Sequence, residues 1–269
     1  MKSTLIGHFF NEAGPSGLLG PWTRHHARMF DHAILFDYAS TDGSADLVRS
    51  IAPHWEVRQS RNAEFDAMAC ETEVHDADRS IEGWRIILNT TEFLVSNDFR
   101  GHLENARPDE IAFGVLPYCM ADRPESVGKP FDAAGDIIPQ RFEGYFEGHH
   151  GERQGYRFLH RGTEDDFSRN RIAPRGRNSM EMPFTPHDGF AYLWYGWAPW
   201  PHVKQRKLQI QTRIPQRDKE IGYGVQHIVN EQQLDERFVP HSQKAFDLRS
   251  DPRLLSMMQA HYPCSFGTQ

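Results

Sequence analysis

Several stretches of this sequence carry side chains able to bind or transform a polar ligand. In His32 to Ser50, HAILFDYASTDGSADLVRS, a short apolar run from Ala33 to Phe36 ends on Asp37, and a Ser-Thr-Asp-Gly-Ser turn follows. A carboxylate at a strand end can accept from a ligand N–H or hydroxyl. In Asn89-Thr90-Thr91-Glu92, one acid follows three neutral hydrogen-bonding residues. Arg171, Arg175 and Arg177, then Lys204, Arg206, Lys207 and Arg213, supply cations that could neutralise an anionic group. Two acidic sites downstream, Glu164-Asp165-Asp166 and Asp188, are the candidates for a base that takes a proton from a hydroxyl. For any one of these residues the plainer role is a helix cap or a solvated surface charge, and Asp37 and Asp42 could simply cap the helix after them.

Histidines and aromatics add weaker candidates. His187, beside Asp188, and His227 could each bind an anion or a ligand, although a core-edge histidine is the commoner case. His149-His150 has no partner at a useful spacing and reads as a polar loop. His25-His26 lies on an expected helix, where adjacent residues point to different faces, which argues against a joint site. Tyr192, Trp194, Tyr195, Trp197 and Trp200 could stack on a saccharide ring or pack against a sheet edge. Cys70, Cys119 and Cys264 are odd in number and lack metal or disulfide spacing, which fits a reducing, cytoplasmic setting.

The elements that must position these residues alternate. Thr4 to Phe10 predicts a strand, Leu18 to Phe30 a helix with Leu18, Leu19, Trp22, His26 and Met29 near one face, and Pro21 fits its first turn. Ala33 to Phe36 is dense enough for a strand buried on both faces. The next helix has Ala45, Leu47, Val48 and Ile51 as its apolar side. Trp55 to Gln59 and Trp84 to Leu88 predict further strands, with a helix over Phe65 to Asp78 between them. Strand and helix alternating at short spacing predict a parallel sheet with right-handed crossovers. Glu110 to Leu116 is one more strand, Tyr118 to Pro186 is loop-rich, and Asp218 to Val229 is expected to become helical towards its end. Ligands of such sheets sit at the carboxyl ends of the strands.

The 269 residues suffice for one large domain or two small ones, and a net charge of −7 argues against a general nucleic-acid binder. Mean hydropathy of −0.66 and the absence of a long apolar run argue against a membrane span.

The order Asn11-Glu12, helix, Phe36-Asp37-Tyr38-Ala39-Ser40-Thr41-Asp42-Gly43-Ser44, then Trp84 to Val95, resembles glycosyltransferases of the GT-A type, closest to the family 2 group and its relatives with a D-x-D-E-F stretch. The likeness covers roughly residues 3–100. It implies a Rossmann-like α/β fold, mostly parallel, as one domain over 1–269, with a nucleotide-binding half (1–118) and a loop-rich acceptor-binding half (119–269). It further implies that Phe10, Asn11, Glu12, Asp37, Ser40, Asp42 and Asn62 surround a nucleotide, and that Asn89, Thr91 and Glu92 face a donor sugar. His187, Arg206 and Lys207 would meet its diphosphate, and Trp194 and Trp197 an acceptor. Glu164, Asp166 and Asp188 remain the candidate bases.

The departure is at Asn89 and Thr91, where the family carries two carboxylates that hold Mn²⁺ or Mg²⁺. A hard divalent ion wants anionic oxygens. Three outcomes stay open: a metal-independent enzyme using Arg and Lys, an ion held weakly by Glu92, or loss of transfer with sugar-nucleotide binding retained. The expectation is a transferase moving sugar from a nucleotide-diphosphate sugar, UDP-linked by default, to a saccharide or lipid-linked acceptor. It would be cytoplasmic, beside a membrane if the acceptor is lipid-linked, and would have no assigned metal site. The alternatives are a non-catalytic sugar-nucleotide-binding subunit of a polysaccharide assembly and, ranked low, a hydrolase or phosphotransferase with Asp37 as nucleophile.

Overall fold

The structure, a computed structural model, describes residues 2–61, 67–147, 157–163, 166, 185–212, 214–220, 222 and 228–267. Asn62, His149, His150, Glu164, Asp165, Arg171, Arg175, Arg177, Arg213 and His227 lie outside these.

The first part of the chain alternates as its sequence predicts: β1 (Ser3–Phe9), α1 (Leu19–His26), β2 (His32–Asp37), α2 (Ser44–Ile51), β3 (Glu56–Gln59), α3 (Ala67–Ser80) and β4 (Trp84–Ile87). β3, β2, β1 and β4 lie side by side and parallel, with Phe9 opposite Asp37 at one end. Alternate residues of β2 explain its unbroken apolar run. Ala33 and Leu35 pack with Leu19, Trp22 and Val48 on one face, while Ile34 and Phe36 pack with Cys70, Val74 and Ala77 of α3 on the other. A strand covered by helices on both sides has no polar face to alternate with.

β5 (Glu92–Ser96), α4 (Phe99–Glu104), β6 (Ala112–Ala121), α5 (Ile137–Gln140), β7 (Glu143–Phe146), β8 (Arg157–His160) and β9 (Thr185–Trp197) follow, then α6 (His202–Thr212), α7 (Gln216–Glu220), α8 (Glu231–Lys244), β10 (Phe246–Asp247) and α9 (Pro252–His261). β8, β6, β7 and β10 extend the sheet beyond β4, each antiparallel to the next, and β9 joins β6, to which it is parallel, to β5, to which it is antiparallel. The result is an α/β fold with helices flanking a sheet whose first half is parallel. Among the described residues no helix is long and apolar enough to cross a membrane.

Three expectations change. The expected helix Leu18 to Phe30 stops at His26, where Arg28 and Met29 N–H close shorter turns onto His25 and His26 carbonyls. The aromatic run from Phe190 is the core strand β9, with Tyr192, Tyr195 and Trp197 buried. Of Asp218 to Val229, residues 221 and 223–227 lie outside the described set; α7 occupies its beginning, and α8 lies beyond it.

β5 pairs with β9 along one edge, and side chains cap the other. Trp22 Nε1 donates to Glu92 O, His25 Nε2 to Leu94 O at 2.5 Å, and Leu94 and Ser96 N–H donate to His26 and His261 Nε2. His25 and His26 therefore do act together, straddling one residue of β5, although they follow each other on a helix. Burial pushes His25 well below the ordinary imidazole range, His26 down to about 3 and His261 to about 4. The unfolded chain takes these protons first. Their contribution is thus full above the unfolded pKa near 6.5 and is lost as pH falls towards 4 and 3, by up to about 1.4 kcal/mol per histidine per pH unit. The urea midpoint should drop steeply between pH 6.5 and 4, and His261→Gln, which keeps an acceptor for Ser96, should flatten that slope.

Candidate functional site

From β1 the chain moves outward through β2 to β3, then returns to place β4 on the other side of β1. The strand order reverses there, and a crevice opens at the carboxyl ends of β1 and β4, where open α/β sheets bind ligands. Its volume is about 360 Å³. His8, Phe10 and Glu12 come from the end of β1, Asn89, Thr90 and Thr91 from the β4–β5 turn, and Trp194 and Tyr195 from β9. α6 closes it with Val203, Arg206, Lys207 and Ile210, one face of the helix by their spacing.

Loop-to-loop hydrogen bonds hold Glu12 in place. Asp37 Oδ1 accepts from Ser40 N–H, Ser40 Oγ from Asn11 N–H, and Asn11 Oδ1 from Thr41 N–H. Asp42 accepts from Ala13 N–H and from Ser44 Oγ, and Ser44 Oγ accepts from Glu12 N–H at 2.8 Å. Asn11 and Ala39 take positive φ of 49° and 55°, where side-chain bonds to the neighbouring loop compensate the strain. Glu12 Oε1 then accepts from Thr90 Oγ1 at 2.9 Å and from Arg206 Nη2 at 2.7 Å, joining β1, the β4–β5 turn and α6.

Glu92 is not in the crevice. Both its oxygens face Arg157, Nε to Oε2 at 2.9 Å and Nη2 to Oε1 at 2.5 Å, in a buried two-pronged pair. The same carboxylate accepts from Asn89 N–H and Nδ2, each at 2.9 Å. An amide whose NH₂ end faces a carboxylate turns its carbonyl oxygen the other way. Glu92 thus orients Asn89 and anchors the turn, in place of the donor-sugar contact expected of it.

Lys207 Nζ lies 4.2 Å from the Trp197 ring centroid and 5.8 Å from that of Trp194. Burial, with Arg206 beside it, pushes its ammonium down to about 8. Trp197 itself lies behind Lys207, stacked on His241 at 4.3 Å, and does not line the crevice as Trp194 does.

Of the residues singled out in the sequence, the crevice brings together Phe10, Glu12, Asn89, Thr90, Thr91, Trp194, Tyr195, Arg206 and Lys207. Asn11, Ser40 and Asp42 form its scaffold, and Asp37 braces the turn beside it. It does not receive His187 or Asp188. His187 packs on His102, Phe113 and Phe190, and Asp188 is exposed and paired with Arg253 at 3.0 Å. Asp188 stands six residues before Trp194 on β9, about 20 Å at strand rise. Asp166 accepts from Thr163 N–H and Oγ1 in a local turn.

His8, Glu71 of α3, Val203 and Ile210, which also line the crevice, were not marked in the sequence, although the i, i+3, i+4, i+7 spacing of Val203, Arg206, Lys207 and Ile210 was available. Glu147 was also missed. Its N–H bonds Pro117 O, and Pro117 pairs with Tyr192, so Glu147 shares a sheet face with Tyr192 and Trp194. Burial raises its carboxyl, Lys244 opposing, and it makes no hydrogen bond or ion pair among the described residues.

Fold and crevice define an α/β protein with a crevice at its switch point that two carboxylates, Glu12 and Glu71, and two cations, Arg206 and Lys207, line. No protein-family model matches the sequence, and no curated protein does. Partial likeness is found to solved structures. S. aureus TarS 1-349 is 12% identical with a TM-score of 0.39, over 98% of this chain and 82% of that one. TarS 1-349 in complex with UDP-GlcNAc is 13% identical with a TM-score of 0.31, over 49% of this chain and 37% of that one. HddC from Yersinia pseudotuberculosis is 12% identical with a TM-score of 0.38, over 77% and 97%. Against the full TarS chain the likeness spans only 23% of its length.

Removing Arg157 should be severe, because Glu92 would be left charged and buried. Arg157→Met should lose about 3–5 kcal/mol of unfolding free energy, and Glu92→Gln combined with Arg157→Met should regain most of it. Urea unfolding of both variants measures this.

Proposed function

We propose that the chain is a glycosyltransferase that binds a nucleotide-diphosphate sugar in the β1–β4 crevice and passes the sugar to a saccharide or lipid-linked acceptor without a divalent ion. One observation carries this: Arg206 and Lys207 of α6 face the switch point where the family's metal-binding acids are replaced by Asn89 and Thr91. The residues there do not fit Mn²⁺ or Mg²⁺. Asn89 and Thr91 are neutral, Glu92 is engaged by Arg157, and of the two carboxylates that line the crevice Glu12 is held by Arg206 and Thr90 while Glu71 faces His75 at 3.7 Å, so no group of three histidine, cysteine or acidic side chains among the described residues converges on an ion.

In this reading an acceptor hydroxyl oxygen bonds to the anomeric carbon as the bond from that carbon to the diphosphate breaks, and the electron pair leaves on a phosphate oxygen. Arg206 and Lys207 stabilise that charge inside a partly dehydrated site. Asn89 Oδ1 and Thr91 offer hydrogen bonds to donor hydroxyls. Glu147, on the face shared with Tyr192 and Trp194, takes the acceptor proton. A non-catalytic sugar-nucleotide binder is the second reading, favoured by the neutral Asn89-Thr90-Thr91 triplet.

Calorimetric titration of UDP, GDP, CDP and dTDP, with Mn²⁺ and again with EDTA, tests the binding step. One nucleotide should bind and survive EDTA, and Arg206→Ala or Lys207→Ala should weaken it about 10- to 100-fold, as loss of a charged hydrogen bond implies. Because Lys207 loses its proton near 8, affinity should fall as pH rises from 7 to 9.5. No binding of any nucleotide would sink the proposal. Glu147→Gln should leave nucleotide affinity unchanged while slowing donor hydrolysis by about 100-fold or more. Equal hydrolysis in that variant would remove Glu147 as the base, and a wild type that binds donor but never hydrolyses it would favour the second reading.

A further inference from the structure

Glu12 and Arg206 form a wall between two cavities. Both line the crevice of about 360 Å³, and both line a second, polar cavity of about 400 Å³ on the far side, with Ser16, Gln205 and Gln209. The pair is lopsided. Arg206 Nη2 and Thr90 Oγ1 share Glu12 Oε1, whereas Glu12 Oε2 and Arg206 Nε are both buried with no hydrogen-bond partner. A guanidinium and a carboxylate that matched would use both prongs, as Arg157 and Glu92 do. The Glu12 backbone is fixed, its N–H held by Ser44 and its carbonyl so close to Gly17 that a Cβ there would stand 2.0 Å from it. The adjustable member is the long Arg206 side chain.

We propose that Glu12 is an internal competitor for the anion site: its carboxylate occupies the Arg206 guanidinium that a diphosphate would take, and the ligand's phosphate displaces it, opening the wall between the cavities. This rests on the diphosphate reading above. The exchange is non-covalent. A phosphate offers oxygens to Nε and Nη2 together, giving the stranded Nε an acceptor that Glu12 does not provide. Ligands with little negative charge cannot outcompete a resident carboxylate, so Glu12 sets a threshold that favours a diphosphate.

The test is calorimetry of inorganic pyrophosphate and of UDP with the full chain and with Glu12→Gln, which keeps an acceptor for Thr90 and removes the charge. Pyrophosphate should bind Glu12→Gln about tenfold tighter or more, and Arg206→Ala added to it should erase the gain. Unchanged or weaker pyrophosphate binding overturns the proposal, because a carboxylate that merely contacts ligand would lower affinity when lost. A gain that survives Arg206→Ala also overturns it, and so does failure of pyrophosphate to bind either protein. Glu12→Ala, with thermal melting as the check on folding, gives the same reading should the glutamine variant fold poorly. Failure of the underlying nucleotide reading looks different: wild type then binds no UDP, yet pyrophosphate still tightens on Glu12→Gln.

Discussion

The ion pair between Glu92 and Arg157 is the constraint on which the site depends. Each residue opens its strand, β5 and β8, and neither strand is paired directly with the other. Their side chains tie the two strand ends together, and the spare capacity of Glu92 fixes Asn89 through its N–H and its amide. A buried pair of this kind gains little net free energy against an apolar replacement. What it supplies here is position. Tyr195 N–H, bonded to Thr91 O at 2.8 Å, holds the other side of the same turn. The turn is thus pinned from two directions before any ligand arrives.

The parallel half was legible because its strands and helices each state their burial locally: a continuous apolar run for a strand covered on both faces, a 3.6-residue period for α2. The crevice followed from topology, since residues after the first and fourth strands must meet where the order reverses. What was not legible depends on pairing across the chain. Glu92 reads as a ligand in sequence because its partner lies 65 residues away. β9 reads as an aromatic patch because a strand between β5 and β6 has no polar face to alternate. His187 and Asp188 looked close to the aromatic residues by number, yet an extended strand carries them away from Trp194.

β5 illustrates the same point at the level of hydrogen bonds. A strand with one paired edge should expose donors and acceptors on the other, but Trp22, His25, His26 and His261 fill those places. Side-chain capping lets the strand be buried without a further neighbour. It also requires His26 and His261 to be neutral, because a protonated ring there would point a donor at an N–H. The histidines of α1 are therefore structural in a strict chemical sense.

Charge in the crevice has a direction. The turn after β4 contributes no free carboxylate, while α6, far along the chain, brings Arg206 and Lys207 to the same point. Burial, with Arg206 beside it, disfavours the charge of Lys207, while the faces of two indole rings attract it. Glu12 answers one of the two positive groups, through a single oxygen. Glu71 of α3 lines the same crevice, so two carboxylates and two cations meet at the switch point.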